Sequence, residues 1–483
     1  MNLFYRPELA AVGDVIPFYD NGVFKPFYLR NYRNNMDADH HDSWVMLSTT
    51  DHLHFQEHDT QIDAATGSVV LHDGMYHMFA TIFKSRPMKN VIIHAISPDL
   101  DKWTILDDTL MSDNVIYEET HFRDPFVFWN EEDACWWMIM AAREKGPTLR
   151  RGCVGLCKSD DLFSWRHCPA LYSPEDANCC FECPDFFRWG DWYYLVFSSY
   201  SDRYQTLYRM SRSPEGPWIA PELDTFDSRA FYAAKTASDG KQRFVYGWNP
   251  TREINEHYFN PRREYGADNH TWDWGGHLIV HELIQQKDGT LHVKPVDAVN
   301  HALSCALPID FRPIQGIWEK QEDSLRVDAG GSYACALLGH LPKLCRIHIE
   351  MTFSDKPLQI GIALGVDETF TRGNYVLLEP RRGRIQYKTS LRTDPQTGHI
   401  FPWEVESERP ITLEPNVRHS LTLLRQDDVL VIYLDDTVAL STRMYQDYDG
   451  QIGLFAEDCS ASFSNSSVHT QSPPIKQERN DHP

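Results

Sequence analysis

The sequence predicts an all-β protein, with a five-bladed β-propeller over residues 1–304 followed by a β-sandwich over residues 305–470. Two observations predict the propeller. Turn signals recur roughly every 50 to 60 residues, and the units between them hold about four short β-type segments with almost no helical periodicity. A third observation, a change to strict period-two alternation after residue 305, predicts the sandwich.

Five turn signals divide the first part of the chain into units of similar length. A strand-like aromatic run follows each of them, and they lie at residues 20–22, 72–74, 130–133, 190–191 and 239–240. A second series falls between them, at residues 49–55, 97–103, 159–165 and 213–218. Two interleaved series with one period indicate internal repeats of the propeller-blade kind. An array of β-sandwiches is the alternative, but it does not explain why both series keep their order in each unit.

The second domain is predicted from alternating apolar and polar residues. This pattern covers residues 346–353, and it recurs at 420–424 and 429–434, which residues 426–428 join as a hairpin. These features are typical of a β-sandwich. Residues 471–483 are polar and rich in proline, which predicts a disordered tail.

Composition excludes several classes of partner. The net charge is −23 and no block of Lys or Arg is present, so we expect neither nucleic acid nor a membrane surface as a partner. No run of about 18 apolar residues is present, and residues 1–11 contain Arg6 and Glu8 and no apolar core of signal-peptide length. The 11 cysteines are odd in number and irregularly spaced, which favours a reducing compartment. We therefore expect a soluble cytoplasmic protein with a small neutral substrate; its oligomeric state stays open.

Three acidic residues occupy equivalent places in the repeats. Asp14, Asp124 and Glu182 each lie about seven residues before a turn signal and at the start of an apolar run. The innermost strands of a propeller line its axis, so these carboxylates are expected to meet at one mouth of the channel. Clustered carboxylates carry out acid–base and nucleophilic chemistry on glycosidic bonds. The structural alternatives are a turn residue for Asp14 and an ion pair with Arg123 for Asp124.

Short motifs around these acids resemble those of glycoside hydrolase family 32, the β-fructofuranosidases. The Arg-Asp-Pro segment at 123–125 and the Glu-Cys pair at 182–183 match the family's RDP and EC motifs in order and spacing. Further similar segments lie at residues 66–68, 231–233, 247–248, 274–276, 452–455 and 460–463. The resemblance therefore covers both predicted domains.

The resemblance implies a retaining glycoside hydrolase without a cofactor. Asp14 is then the nucleophile, Glu182 the general acid/base, and Asp124 with Arg123 holds the sugar's hydroxyl groups. The matching segments add Ser68 and Trp248 as substrate-binding residues. The neighbouring Cys179, Cys180 and Cys183 lack the paired ligands of a metal site, so no metal is expected.

The chain departs from the family in its first motif. The family's WMNDPNG appears as AVGDVIP at residues 11–17, its pocket Gln as Leu29 and its Phe as Ala65. We expect other residues to rebuild this part of the pocket, and the candidates are Trp44, His41, Asp42 and Arg30. The expected reaction is release of fructose from the non-reducing end of a short β-fructofuranoside such as sucrose or inulobiose. Fructosyl transfer to a sugar acceptor stays open.

Two other functions fit parts of the sequence. An inverting arabinan- or xylan-directed hydrolase of the family 43 kind also uses a five-bladed propeller with three carboxylates, and it would be recognised by inversion or by release of a pentose. A catalytically silent sugar-binding propeller is the second alternative. The appended sandwich and the Glu-Cys pair at 182–183 argue against the first, and the presence of all three acids argues against the second.

Overall fold

A computed structural model describes residues 1–32, 43–85, 88–174, 178–252, 272, 274–393, 397–446 and 449–472. Contacts between Cα atoms divide the chain into two compact units, the first mainly Met1–Val296 and the second mainly residues from Asp297 onward. The predicted all-β class is confirmed: strands make up both units, and the one helix of the described residues is the short α1 (Ala298–Ala302). No helix in these described ranges is long and apolar enough to cross a membrane.

The described residues of the first half of unit 1 form ten strands. They are β1 (Ala11–Ile16), β2 (Tyr19–Asp20), β3 (Val23–Phe24), β4 (Phe27–Asn31), β5 (Ser43–Ser48), β6 (Gln56–Asp63), β7 (Gly67–His72), β8 (Met75–Ser85), β9 (Met88–Ser97) and β10 (Thr104–Ile105). Strands β7 to β10 form one antiparallel sheet in chain order, and β2 pairs only with β3.

In the second half of unit 1, eleven strands lie within the ranges that the structure describes. They are β11 (Tyr117–Asn130), β12 (Cys135–Glu144), β13 (Gly152–Ser159), β14 (Arg166–Tyr172), β15 (Phe181–Trp189), β16 (Trp192–Ser199), β17 (Gln205–Ser211), β18 (Tyr232–Ser238), β19 (Arg243–Pro250), β20 (Gly276–Gln285) and β21 (Leu291–Lys294). Strands β11 to β14 and β15 to β17 form two further sheets. An eight-stranded sheet runs β18-β19-β20-β1-β4-β5-β6, with β21 on β20, so it joins the first and last strands of the unit.

The predicted turn signals are hairpin turns between the first two strands of a sheet. Residues 73–74 connect β7 to β8, residues 190–191 connect β15 to β16, and residues 239–242 connect β18 to β19. Gly74 has a φ of 74° and Gly240 a φ of 88°, a conformation that glycine adopts without steric cost. The backbone requirement of these turns therefore explains why the signal recurs.

The second repeated series consists of matching polar turns. The hydroxyls of Ser97 and Ser159 each accept a hydrogen bond from the N–H three residues later, at 2.9 Å in both turns. The residues that donate, Leu100 and Leu162, have φ values of 71° and 70°. The indoles of the tryptophans at positions 103 and 165 then donate to the carbonyl oxygens of these leucines, at 2.9 and 3.1 Å. One local structure thus occurs twice at the same place in the repeat.

Neighbouring sheets of unit 1 pack through buried apolar side chains. One cluster joins Trp44 and Met46 of the first sheet to Met78 and Ile93 of the next. Aromatic side chains bury a large apolar area each, so they contribute strongly to this packing.

Between residue 305 and residue 472, the part of the chain that the structure describes forms fifteen strands. They are β22 (Cys305–Leu307), β23 (Arg312–Gln315), β24 (Ile317–Lys320), β25 (Ser324–Asp328), β26 (Tyr333–His340), β27 (Leu344–Phe353), β28 (Gln359–Val366), β29 (Gly373–Glu379), β30 (Arg384–Thr393), β31 (Ile400–Pro410), β32 (His419–Gln426), β33 (Val429–Leu434), β34 (Val438–Arg443), β35 (Gln451–Glu457) and β36 (Ser460–Thr470).

These later strands form two antiparallel sheets, which agrees with the predicted sandwich. One sheet has the order β24-β25-β36-β27-β32-β33-β34, with β22 on β36, and the other has the order β23-β26-β35-β28-β29-β30-β31. Buried and part-buried side chains alternate along β27, as predicted for residues 346–353. The predicted hairpin is also present, since β32 pairs with β33 from Gln426 and Val429 outward. The predicted disordered tail lies, from residue 473 on, outside the described residues.

Candidate active site

Four strands of unit 1 share an irregularity at the same level. The register with the neighbouring strand shifts between Val12 and Val15 in β1, Arg123 and Phe126 in β11, Glu182 and Asp185 in β15, and Tyr232 and Lys235 in β18. Within the last three shifts, Asp124, Cys183 and Ala233 adopt φ values of 57°, 50° and 51°. Such conformations are rare for residues with a Cβ atom and concentrate at functional sites. The bulges re-aim the side chains of these strands at one place.

Asp14 is held by three donors from distant parts of the chain. Its Oδ1 accepts hydrogen bonds from the indole N–H groups of Trp248, at 3.0 Å, and Trp274, at 3.1 Å. Its Oδ2 accepts a hydrogen bond from the hydroxyl of Thr66 at 2.6 Å. These bonds fix the orientation of the carboxylate and partly offset its burial.

Asp124 is anchored through its backbone and one carboxylate oxygen. Its N–H donates to the hydroxyl of Thr81 at 2.9 Å, and its Oδ2 accepts the N–H of Cys183 at 3.1 Å. The Nε of Arg123 lies 3.8 Å from the same oxygen. Among the described residues, Oδ1 accepts no side-chain or backbone hydrogen bond. One oxygen of this buried carboxylate is therefore available to a ligand.

Glu182 has a donor on each oxygen. Arg123 Nη2 lies 2.6 Å from Oε1, and the hydroxyl of Tyr232 donates to Oε2 at 2.8 Å. The side chain of Glu182 keeps 18% of its surface exposed, against 7% for Asp124. Of these two acids, Glu182 is thus the one with more contact to solvent.

Cys183 links the three acids into one cluster. Its Sγ lies 3.8 Å from Asp14 Oδ2 and 3.9 Å from Asp124 Oδ2, and its neighbour in the chain is Glu182. Burial raises the pKa of this thiol well above its ordinary range, so it remains a neutral weak donor toward the two carboxylates. The structure therefore brings Asp14, Asp124 and Glu182 together, as the sequence predicts.

Asp14 and Asp124 resist ionisation because the surrounding protein shields their carboxylates from water. Burial raises the pKa of Asp14, and the charge of Glu182 adds to the effect, while the bonds from Thr66 and the two indoles oppose it. Burial raises the pKa of Asp124 to about 6; Arg123 opposes this rise, and the charges of Glu182 and Asp14 add to it. The site thus holds negative charge at neutral pH at a cost to stability.

Replacing Asp124 with asparagine is expected to stabilise the folded protein. A carboxyl whose pKa rises from 3.8 to about 6 on folding contributes stability that is present below pH 4 and lost as the pH rises through 6. Asparagine removes this loss, accepts the Cys183 N–H and tolerates the positive φ. Thermal denaturation should therefore show a Tm gain of a few degrees at pH 7.5 that shrinks toward pH 4. A lower Tm at pH 7.5 would contradict this electrostatic account.

The structure places the other predicted site residues at different depths. Arg123 and Trp248 contact the three-acid cluster directly, and Ser68 is buried behind it, where its hydroxyl accepts the N–H of Val127 at 3.0 Å. Trp44 is fully buried and its indole donates to the carbonyl of Ala65 at 3.0 Å, so it supports the interior and has no surface for a sugar. His41 and Asp42 lie outside the described residues.

Arg30 is engaged by an acidic partner. Its Nη2 lies 2.6 Å from Glu57 Oε2, and its Nε lies 3.3 Å from the hydroxyl of Tyr28. The side chain of Arg30 is 18% exposed. A substrate-binding role for Arg30 would require that this ion pair be shared or broken.

Several residues of the cluster were not singled out from the sequence. Thr66, Tyr232 and Trp274 lie within segments that carry the family resemblance, and Cys183 follows Glu182 directly. The resemblance of those segments to the family's motifs was the sequence signal that could have identified these residues. Their roles depend on contacts between residues 50 to 260 positions apart, and no local sequence pattern predicts such contacts. Among the described residues, no group of three or more His, Cys, Asp or Glu side chains could hold a metal ion.

Comparison with known families gives a match over more than half of the chain. The model of the glycosyl hydrolases family 32 N-terminal domain matches residues 16–295. This region starts two residues after Asp14 and contains Asp124, Glu182 and Tyr232.

Curated relatives match at low identity. The chain is 29% identical to sucrose-6-phosphate hydrolase of Escherichia coli over 225 residues, which is 43% of each protein. It is 21% identical to a levanbiose-producing levanase of Bacillus subtilis (strain 168) over 373 residues, 72% of this chain and 64% of that enzyme. The chain thus spans less than two thirds of the length of these curated relatives.

Solved structures match over nearly the whole chain. Sucrose-6-phosphate hydrolase from Lactobacillus gasseri superposes with a TM-score of 0.70 at 15% identity, covering 98% of this chain and 93% of that one. Fructan 1-exohydrolase IIa from Cichorium intybus gives a TM-score of 0.70 at 14% identity, with 98% and 97% coverage. The fold is therefore shared with both proteins.

Proposed function

This chain belongs to glycosyl hydrolase family 32, and we propose that it is a β-fructofuranosidase that releases fructose from the non-reducing end of short β-fructosides with retention of configuration. The observation that carries the proposal is the meeting of Asp14, Asp124 and Glu182 around Cys183. Retaining hydrolysis requires one carboxylate that attacks and one carboxylic acid that protonates the leaving group. In this proposal Asp14 takes the first role and Glu182 the second.

Asp14 is the proposed nucleophile. An oxygen of its carboxylate attacks C2 of the fructosyl unit while the bond from C2 to the leaving oxygen breaks. The indole donors on Oδ1 and the Thr66 donor on Oδ2 orient the carboxylate before attack. Preorganisation of this kind lowers the barrier, because no reorientation is needed during the reaction.

Glu182 is the proposed acid and base. It gives its proton to the leaving oxygen in the first step and takes a proton from water in the second, when water attacks C2 and the bond to Asp14 breaks. After the first proton transfer Glu182 is negatively charged. Arg123 and Tyr232 donate to its two oxygens and stabilise that charge.

Asp124 is the proposed anchor for the sugar ring. Its Oδ2 is occupied by the Cys183 N–H, and its Oδ1 is left to accept a hydrogen bond from a substrate hydroxyl. A hydrogen bond to a charged group contributes about 1.5–3 kcal/mol. This contribution can rise as the ring acquires positive charge, because Asp124 is a buried anion.

Replacing Tyr232 with phenylalanine is expected to reduce kcat roughly 10- to 100-fold, because one donor to the charged form of Glu182 is lost. The ring packing against Tyr204, at 4.3 Å between centroids, is retained. The loss should appear mainly in kcat, with little change in KM, and steady-state kinetics on sucrose measures both. Tyr76→Phe, which removes a hydroxyl that donates to Asp20, serves as the matched control. Equal losses in the two variants would contradict the role of Tyr232.

The substrate class is tested with a panel of saccharides. We propose sucrose or a short fructo-oligosaccharide, since relatives of this chain are described as acting on sucrose-6-phosphate, raffinose and levan. Sucrose, sucrose-6-phosphate, inulobiose, levanbiose, kestose, inulin and levan are compared, with the product sugars identified over time. Fructose released from the short members supports the proposal. Activity confined to inulin and levan would overturn it, and release of a pentose from arabinan would favour the family 43 alternative.

The architecture and location that accompany this function are also proposals. We assign the sheets of unit 1 to five blades. The eight-stranded sheet is counted as two of them, the first and the last blade, which are joined where Val12 of β1 pairs with Gly276 of β20. We assign the protein to the cytoplasm from its odd number of cysteines. Cell fractionation with an antibody against the chain tests the location.

A further inference from the structure

A cavity of about 180 Å³ lies at the far ends of β11 and β15, away from the three acids. Its lining includes Asn130, six residues beyond Asp124, and Arg188, six residues beyond Glu182. At about 3.3 Å per residue of strand, the cavity is roughly 20 Å from the carboxylates. It is therefore separate from the proposed catalytic cluster.

The walls of the cavity are aromatic. Phe128 stacks on Phe186 with 4.3 Å between ring centroids and an interplanar angle of 9°. Trp129 meets Trp136 edge to face and leaves 42% of its surface exposed, which is unusual for so large an apolar residue. An exposed indole beside stacked rings offers a face to a ligand with an apolar side.

A buried donor in the lining has no acceptor. Asn130 is 4% exposed, and its Oδ1 accepts the backbone N–H groups of Glu132, at 2.9 Å, and Asp133, at 3.0 Å. These two bonds fix which side of the amide carries the oxygen. The Nδ2 group has no hydrogen-bond partner among the described residues. An orphaned buried donor of this kind calls for a ligand or an ordered water.

Both signs of charge also line the cavity. Arg188 donates through Nε to the carbonyl of Gly190, and its guanidinium lies 5.4 Å from the ring centroid of Tyr193. Glu131 is exposed and forms no ion pair within the part of the chain that the structure describes. The cavity thus combines an aromatic wall with an acceptor, a cation and an unpaired amide donor.

We propose that this cavity is a second, non-catalytic site that binds one ring of a neutral saccharide. A sugar ring presents an apolar C–H face to aromatic rings, and its hydroxyls both donate and accept, so one ligand satisfies Glu131 and Asn130 together. An apolar ligand leaves Asn130 Nδ2 unpaired, and the opposite charges of Glu131 and Arg188 give the cavity no single sign of charge that would select an ion. Pockets for drug-sized ligands begin at about 300 Å³, so this cavity accommodates one ring only.

The test is saturation-transfer NMR on the full chain with methyl α-D-glucopyranoside and D-fructose as probes. Trp129→Ala removes the exposed platform, and Asn130→Asp keeps the acceptor for the turn but removes the donor. We expect each change to weaken binding of at least one probe about tenfold or more. Phe163→Ala, which removes another aromatic ring, 50% exposed, from the same unit, should leave binding unchanged.

The measurement does not depend on turnover, so its failure is distinguishable from failure of the proposed function. Tm values and sucrose hydrolysis of the Trp129 and Asn130 variants should match the parent. If Trp129→Ala lowers the Tm, the variant Trp129→Phe is used in its place. This variant should retain part of the affinity for the probes. The proposal would be overturned if the parent bound neither probe. It would also be overturned if the Trp129 and Asn130 variants bound both probes as tightly as the parent does.

Discussion

Replacing Asp14 with alanine is expected to lower kcat for sucrose by on the order of 10⁴-fold or more, because removal of a nucleophile abolishes the covalent route. The backbone of β1 and the indoles of Trp248 and Trp274 remain, so the fold is retained. Initial-rate kinetics at substrate saturation measures the loss. Added azide or formate should restore part of the rate by replacing the carboxylate, with a product of inverted configuration.

The control for this variant is Asp20→Ala. Asp20 is a buried carboxylate, 9% exposed, and it pairs with Lys25 at 2.9 Å outside the three-acid cluster. We expect its removal to lower the Tm while kcat stays within about threefold of the parent, since no group of the cluster is touched. If Asp14→Ala retained more than a tenth of the parent's kcat, Asp14 could not be the nucleophile.

Replacing Glu182 with alanine is expected to lower kcat for sucrose by about 10²- to 10⁴-fold, the usual contribution of a general acid. The loss should be much smaller for an aryl β-fructofuranoside, because its leaving group departs without a proton. The ratio of the two losses separates an acid role from a structural one. Comparable losses on both substrates would show that Glu182 acts mainly by holding Arg123 and Tyr232 in place.

The strands and turns of this chain were predictable because their causes are local. The hairpin at Asp73 and Gly74 and the polar turns at Ser97 and Ser159 each need a few neighbouring residues of a particular type. The repeat of these signals indicated the sheet-by-sheet organisation. The pairing of β1 with β20 in one sheet depends on residues at opposite ends of unit 1, so no local sequence pattern predicts it.

The candidate site was predictable in its acids and less so in its surroundings. Asp14, Asp124 and Glu182 share a position in the repeat, so topology alone implied that they meet; their catalytic roles remain proposals. Trp44 was one of the candidates expected to rebuild the pocket, yet the packing of the first two sheets buries it completely. Burial of this kind follows from tertiary contacts, and the pattern of one strand does not reveal it.

The claim at the centre of this account is that the three acids support a covalent fructosyl intermediate on Asp14. The most direct test is to let the full chain act on sucrose in the presence of methanol and to determine the configuration of the methyl fructofuranoside by NMR. Retention through two displacements predicts methyl β-D-fructofuranoside. Formation of the α anomer would contradict the account.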